Sequence, residues 1–466
     1  MVDNTSYNRL TATVAAGVSS FLTPFMGSSI NIALPALARE LNLDAVSLSW
    51  IANISLLSAG VFLVPLGRLA DILGRRFIFA CGLGLYSAAS LLGMVAGTTW
   101  LLLLARFLQG AGGAMIFGTG VAILASVFPA AKTGFALGIN TAMVYAGLSL
   151  GPFLGGILTQ HFSWRAVFAV NLPLSLGALL LVIFVLKGEW ADARGASFDL
   201  TGALIYGAAI LLLMVGFTYL PRGNAVLLIV TGLVALISFG LLELKLASPV
   251  FPLRLFKGNS IFTFSNLAAL INYAATAAIS FLLSLYLQYV KNLNAQSTGL
   301  VLVSQPLIMT LFSPLAGRVS DRIEPRLIAS IGMSLSALGL LLFAFISVTT
   351  DLRFLIIGLG LVGLGFALFS APNANAVMGA VAPRHYGIAA ATLGTMRLLG
   401  QMLSLGLATM LIALFVGPVP LNAATNTGLL RTVRVAFVIF TFLCVVGVFA
   451  SLARGKSGGN LKTEGK

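Results

Sequence analysis

Gly67-Arg-Leu-Ala-Asp-Ile-Leu-Gly-Arg-Arg76 separates two long apolar stretches, and a degraded copy, Gly317-Arg-Val-Ser-Asp-Arg-Ile-Glu-Pro-Arg326, follows 250 positions later. In the first copy Gly67 and Gly74 permit a tight reversal at a membrane face. Asp71 can cap or pair locally, while Arg75 and Arg76 suit the anionic cytosolic leaflet. A short basic turn between two membrane-length helices orients the chain. Its repetition marks a duplicated helical bundle.

Composition agrees. The 466 residues are 59% hydrophobic and 8% charged, whereas soluble domains carry about 25% charged residues. The apolar residues form runs of about 20 or more, enough for a helix to cross ~30 Å of hydrocarbon. A formal charge of +15 would suggest nucleic acid in a soluble protein. Here the basic residues punctuate apolar segments and form no stripe, so membrane lipid is the expected partner and nucleic acid is not. Cys81 and Cys444 both fall inside apolar segments, too few and too buried for a disulfide framework or a metal site. The first span is too long for a signal-peptide core and should persist as a helix.

Fourteen spans are expected, at 11–36, 47–66, 77–97, 100–124, 134–159, 166–186, 200–220, 225–244, 261–289, 297–316, 327–348, 353–378, 386–416 and 433–453. With the N-terminus in the cytosol, 18 of the 27 basic residues fall in cytosolic segments and seven outside, leaving Arg106 and Arg397 within helices. That bias puts both termini in the cytosol, as expected of a multi-pass protein of the cell (inner) membrane. The repeated turn follows the second and tenth spans, so spans 1–6 and 9–14 are equivalent halves. The expected units are an N-terminal six-helix bundle (1–187), a linker carrying the inserted spans 7 and 8 (188–257), and a C-terminal bundle with a short basic tail (258–466). Repeated halves around a central site are a transporter plan.

Further stretches carry chemistry. In Arg106-Phe-Leu-Gln-Gly-Ala-Gly-Gly113 a cation sits about six residues, or about 9 Å, into the fourth span. It must face the bundle interior or water, or snorkel back to the outer surface. Gln109 and Gly110 follow it, and the glycines allow close helix approach. In Gly147-Leu-Ser-Leu-Gly-Pro-Phe-Leu-Gly-Gly156, residues Gly147, Gly151 and Gly155 are four apart and make one smooth helical face, with Gly156 beside it. Pro152 removes a backbone donor and should bend the helix. Asn31-Ile-Ala-Leu-Pro35 closes the first span, and Trp164-Arg-Ala-Val-Phe-Ala-Val-Asn-Leu-Pro173 opens the sixth.

Over nearly its whole length the chain resembles the major facilitator superfamily, and within it the fourteen-span drug:proton antiporters typified by quaternary-ammonium and multidrug exporters. Gly67, Asp71, Gly74, Arg75 and Arg76 match the family's motif A, with Asp321 as the carboxylate of the second copy. Arg106, Gln109 and Gly110 match motif B. Gly147, Gly151, Pro152, Gly155 and Gly156 match motif C, which exporters carry and importers usually lack. The resemblance implies an all-α membrane protein whose two six-helix bundles, related by a pseudo-two-fold, rock about a central cavity. Motif A would be a conformational switch and motif C a bendable seam.

One departure bears on mechanism. The exporters usually place an aspartate five residues before the Asn of Asn-x-Ala-Leu-Pro, and here that position is Met26. All twelve acidic residues fall in tails, loops or helix ends. Proton antiport usually needs a membrane carboxylate whose protonation burial and substrate can shift. Either coupling runs through Asp71, Asp321 or water, or the chain is a facilitator or solute exchanger of the same fold. A lipophilic cation would also find no fixed partner in the cavity, which favours a neutral or anionic amphipathic substrate.

Spans 1, 2, 4 and 5, with 9, 10, 12 and 13, should line the pathway. Met26, Asn31, Asn272, Tyr273, Gln305, Asn373 and Arg397 are the candidate pathway residues, and Asn53, Asn140, Tyr145, Asn375 and Gln401 are further polar groups on those spans. Each polar one is equally readable as interhelical glue worth ~0.6–2 kcal/mol. No acid/base pair, nucleophile arrangement or metal cluster can be assembled, which argues against an enzyme. No segment is long enough for a soluble output domain, which argues against a sensor. The expected function is proton-coupled export of small, drug-like amphipathic molecules by a monomer without a cofactor.

Overall fold

A computed structural model describes residues 4–128, 130–220, 223–245, 253–320, 323–381 and 386–455. Fourteen helices are long and apolar enough to cross a membrane: α1 (Asn8–Glu40), α2 (Ala45–Leu73), α3 (Arg75–Met94), α4 (Thr99–Val127), α5 (Gly138–His161), α6 (Arg165–Val185), α7 (Leu200–Phe217), α8 (Gly223–Glu243), α9 (Ser260–Val290), α10 (Ala295–Ser320), α11 (Pro325–Ala344), α12 (Leu352–Gly379), α13 (Ala389–Phe415) and α14 (Ala423–Ala453). Short polar side chains start many of them by accepting a first-turn amide: Asp44 for α2, Thr98 for α4, Asp199 for α7, Asn259 for α9, Asn294 for α10 and Asp351 for α12.

Three local expectations are corrected. The reversal after α2 rests on Gly74 alone, at φ +121°, because Gly67 lies inside the helix. Helix α14 starts ten residues earlier than expected, so Arg431 belongs to the helix rather than to a loop and Arg434 lies well inside it instead of at its start. The head groups find partners there: the Arg431 guanidinium lies 4.7 Å from the Phe415 ring centroid, and Arg434 donates to the Ile346 carbonyl. Cys81 is exposed on the outside of its helix, and only Cys444 is buried.

Two helices of the second half are discontinuous. In α9 the helix is interrupted at Ala277 and Ala278: the Ala277 amide still reaches the Tyr273 carbonyl, but the Ala278 amide donates instead to the Ser404 hydroxyl of α13 at 3.0 Å. In α10 the irregular residue is Val303, whose amide and carbonyl keep their helical partners Gly299 and Leu307; the missing donor is Pro306, which has no amide hydrogen for the Leu302 carbonyl. Broken helices survive in a membrane only where protein re-satisfies the freed groups.

Helix α1 packs on α4, α5 and α6, and α3 on α4 and α6; in the second half α9 packs on α13 and α14, α10 on α12, and α11 on α12 and α14. Helices α7 and α8 pair with each other, and α7 lies along both α2 and α13. There Tyr206 donates to the Gly60 carbonyl of α2 at 3.0 Å, and Met214 lies over Gly406 of α13. The inserted pair therefore touches both halves.

At the end remote from the N-terminus the halves are laced together. The Ala45 amide donates to the Val419 carbonyl (3.0 Å), the Ser284 hydroxyl to the Asn31 carbonyl (2.6 Å), and Gln288 to the Ile32 carbonyl (3.0 Å). Deeper in, the Asn53 amide of α2 donates to the Thr409 hydroxyl of α13 at 2.6 Å. Below this closure α1 presents an open face, with Thr23 exposed and nothing within 4 Å of where a Gly27 side chain would project.

Candidate functional site: a central crevice and its seam

The Gly67–Arg76 turn is held by the α6–α7 linker. The Arg75 guanidinium pairs with Asp71 at 2.8 Å and with linker residue Asp192 at 2.7 Å, and donates to the Ser126 hydroxyl at 3.0 Å. Glu189 of the linker accepts from two first-turn amides of α3, Arg76 (2.8 Å) and Phe77 (3.2 Å). Arg76 reaches the Val182 and Ile183 carbonyls at the end of α6, where helical partners run out. A β-carbon at Gly74 would collide with the Glu189 carboxylate. Asp71 is thus paired rather than free. Asp321 lies outside the described residues; nearby, Arg326 and Glu324 form an ion pair at 3.0 Å.

Arg106 is 3% exposed and lies within the first half rather than on the pathway or the surface. It donates to the Ile51 carbonyl (3.3 Å), the Gln109 side chain (2.9 Å) and the Ser55 hydroxyl (2.6 Å), and Gln109 passes the chain on to Ser90 at 3.0 Å. Gly110 lies against the Ser55 carbonyl of α2. This group ties α2, α3 and α4 together with the charge satisfied by dipoles alone.

The glycines of α5 serve two contacts. Gly147, Gly151 and Gly155 lie on α1 against the Phe21 carbonyl, Ser28 and Ser29, and the Ser29 hydroxyl donates to the Gly151 carbonyl at 2.9 Å. Gly156 faces α10 instead, where a β-carbon would come 2.7 Å from the Ala295 carbonyl, and Gly299 of α10 lies against the Pro152 carbonyl. The stretch is both a seam within the first half and a seam between halves.

Between the halves lies a small aromatic and polar group. Tyr145 of α5 donates to the Ser370 hydroxyl of α12 at 3.3 Å, and Ser149 and Thr310 share a hydrogen bond of 3.3 Å. Tyr145, Met309 and Phe366 form an apolar cluster joined by Leu148 and Tyr273. The Tyr273 ring stands edge-on to Phe366, centroids 5.2 Å apart, and the Arg397 guanidinium carbon lies 5.7 Å from the Tyr273 centroid. Of the candidate pathway residues, Tyr273 and Arg397 are brought together here.

The others are placed elsewhere. Met26 is 1% exposed and its thioether accepts from the Asn171 amide of α6 at 3.4 Å. Asn31 contributes its backbone carbonyl to the closure remote from the N-terminus, and Asn373 is buried with its amide on the Ser265 carbonyl at 3.1 Å. The Gln305 backbone lies against Gly363. Asn272 is fully buried with both ends of its amide unpartnered. Phe366, Met309 and Ser370 join the central group without any mark in the sequence, since one phenylalanine among 32 is indistinguishable from a lipid-facing one.

Two six-helix halves joined at one end, with an aromatic and polar group where they meet, define a multi-pass membrane transporter. The chain belongs to the Major Facilitator Superfamily, whose family model matches residues 16–253 and 266–465. The riboflavin transporter RibZ of Clostridioides difficile is 30% identical over 82% of this chain and 83% of its own length. The cephamycin export protein CmcT of Amycolatopsis lactamdurans is 33% identical over 86% and 84%. The multidrug resistance protein Stp of Mycobacterium tuberculosis is 29% identical over 84% and 74%. A solved structure of a proton-dependent oligopeptide transporter shares the fold at a TM-score of 0.66 with 16% identity, covering 96% of this chain and 98% of that one. The nucleoside transporter NupG does so at 0.64 and 16%, covering 96% and 99%.

Proposed function

We propose that this protein is a secondary active exporter of small amphipathic organic compounds, embedded in the cell membrane with both termini in the cytosol. Residues 1–187 and 258–466 would rock as two bodies, with the linker and helices of 188–257 riding on the α2–α13 seam. The observation that carries this reading is the crossing of α5 and α10 at Pro152–Gly156 and Ala295–Gly299. Backbone-to-backbone contact without side chains lets two helices part and rejoin with little repacking. Relatives named for cephamycin export and multidrug resistance support the direction of transport.

Proton coupling is part of this proposal, with Asp71 and Asp321 as its candidate carboxylates. The alternative, a facilitator or solute exchanger of the same fold, is favoured by the burial of Met26 against Asn171 where a carboxylate would otherwise stand. Purified protein in liposomes separates them. Riboflavin, a cephamycin and a lipophilic dye are offered with and without an imposed pH gradient. Gradient-dependent flux above that of empty liposomes supports the exporter, gradient-independent flux supports the facilitator, and no flux of any probe overturns both.

A further inference from the structure

Arg397 is the membrane-embedded cation that the fold leaves uncompensated. Arg106 spends its donors on Ile51, Gln109 and Ser55. Arg397 makes no ion pair among the described residues, and its Nε is buried without a partner. Its guanidinium lies over Tyr273, and the described carboxylates all stand at helix ends or in loops. A charged side chain at membrane depth is costly unless something offsets it. The ring below offsets part of that cost.

The surroundings define what would complete it. Arg397 and Tyr273 belong to the second half, yet Tyr273 packs in one cluster with Tyr145 and Leu148 of the first, so the group lies at the interface where the halves meet. Three rings converge, from Tyr145, Tyr273 and Phe366, and Phe117 of α4 approaches Gly394 one turn from Arg397. Flat apolar faces beside a guanidinium that has no ion pair among the described residues suit a planar aromatic body carrying a carboxylate. A cationic compound would be repelled, because no described carboxylate reaches the crevice to balance Arg397.

We propose that Arg397 and Tyr273 form an anion-recognising subsite of the transport crevice, taking the carboxylate of a planar aromatic substrate. This rests on the exporter reading and names its substrate class. It is tested by binding of three probes sharing one ring system, 2-naphthoate, 2-naphthamide and 2-naphthylmethylammonium, to the purified full chain in nanodiscs. Naphthoate should bind about tenfold or more tighter than the other two. Arg397→Gln should erase that preference, bringing naphthoate binding down to the level of naphthamide in the same variant, and Arg397→Lys should retain part of it. Thermal melting of both variants confirms that they fold. Equal or tighter binding of the ammonium, a preference that survives Arg397→Gln, or binding of none of the three overturns the subsite. Flux in the liposome assay decides the exporter reading independently, since export of neutral or cationic probes without any anion preference would leave it standing.

Discussion

Gly299 of α10 lies so close to the carbonyl of Pro152 in α5 that a β-carbon would overlap that oxygen. The two halves therefore meet backbone to backbone at the end remote from the N-terminus, with Gly156 and the Ala295 carbonyl completing the crossing. Gly299→Val should destabilise the form closed at this end by about 1–3 kcal/mol of overpacking, shifting the equilibrium toward opening there about 5–150-fold. Ala45, buried beneath Val419, is the reporter. An Ala45→Cys thiol should label faster with an impermeant maleimide in the Gly299→Val background, and transport should fall. Unchanged labelling and transport would show that this crossing does not gate the molecule.

The linker clasp makes a ranked prediction. Asp192 is 72% exposed in its ion pair with Arg75, and such pairs contribute about 0–1 kcal/mol. Glu189 caps two amides of α3, worth about 1 kcal/mol. Arg75 joins Asp71, Asp192 and Ser126 at once. Thermal melts in detergent should therefore rank the losses Arg75→Ala, then Glu189→Ala, then Asp192→Asn. A melt in which Asp192→Asn costs most would mean that the linker, not the turn, organises this corner.

Arg106→Ala removes three interhelical or intrahelical hydrogen bonds. At ~0.6 kcal/mol for an average bond in a membrane bundle, the loss is about 2 kcal/mol, measurable by unfolding in mixed micelles. Arg106→Lys should recover only part, because an ammonium cannot span Ile51, Ser55 and Gln109 together. Full recovery by lysine would show that charge rather than the fork geometry matters.

Met26→Asp tests the missing aspartate. The new carboxylate would sit in a buried contact with Asn171 rather than in the crevice. The expected outcome is lower thermal stability and no gain in export of cationic dyes, read as dye efflux from loaded proteoliposomes. Dye export that appears in the variant would show that α1 turns this position toward the substrate.

Much of the architecture was legible in the sequence for one reason. A bilayer demands about 20 apolar residues per crossing and biases basic loops to one side, and both signals are local in the chain. Hence the fourteen spans, the repeated turn at Gly67 and Gly317 and the glycine face from Gly147 to Gly155 were visible before any fold was known. The start of α14 was not, because Arg431 read as a loop residue until its guanidinium found the Phe415 ring.

Which face of each helix looks inward was decided by tertiary structure alone. In a membrane the lipid and the core are both apolar, so helical periodicity carries little contrast. Met26 and Arg106 read equally well as pathway or packing residues, and only the positions of Asn171, Ser55 and Gln109 made them packing. The meeting of Tyr273 and Arg397 with Tyr145 and Phe366 joins helices far apart in sequence, and nothing at the level of spacing predicts it. The sequence by itself determined the number and duplication of the helices; the packing of those helices decided that an arginine without an ion pair among the described residues would stand at the interface of the halves.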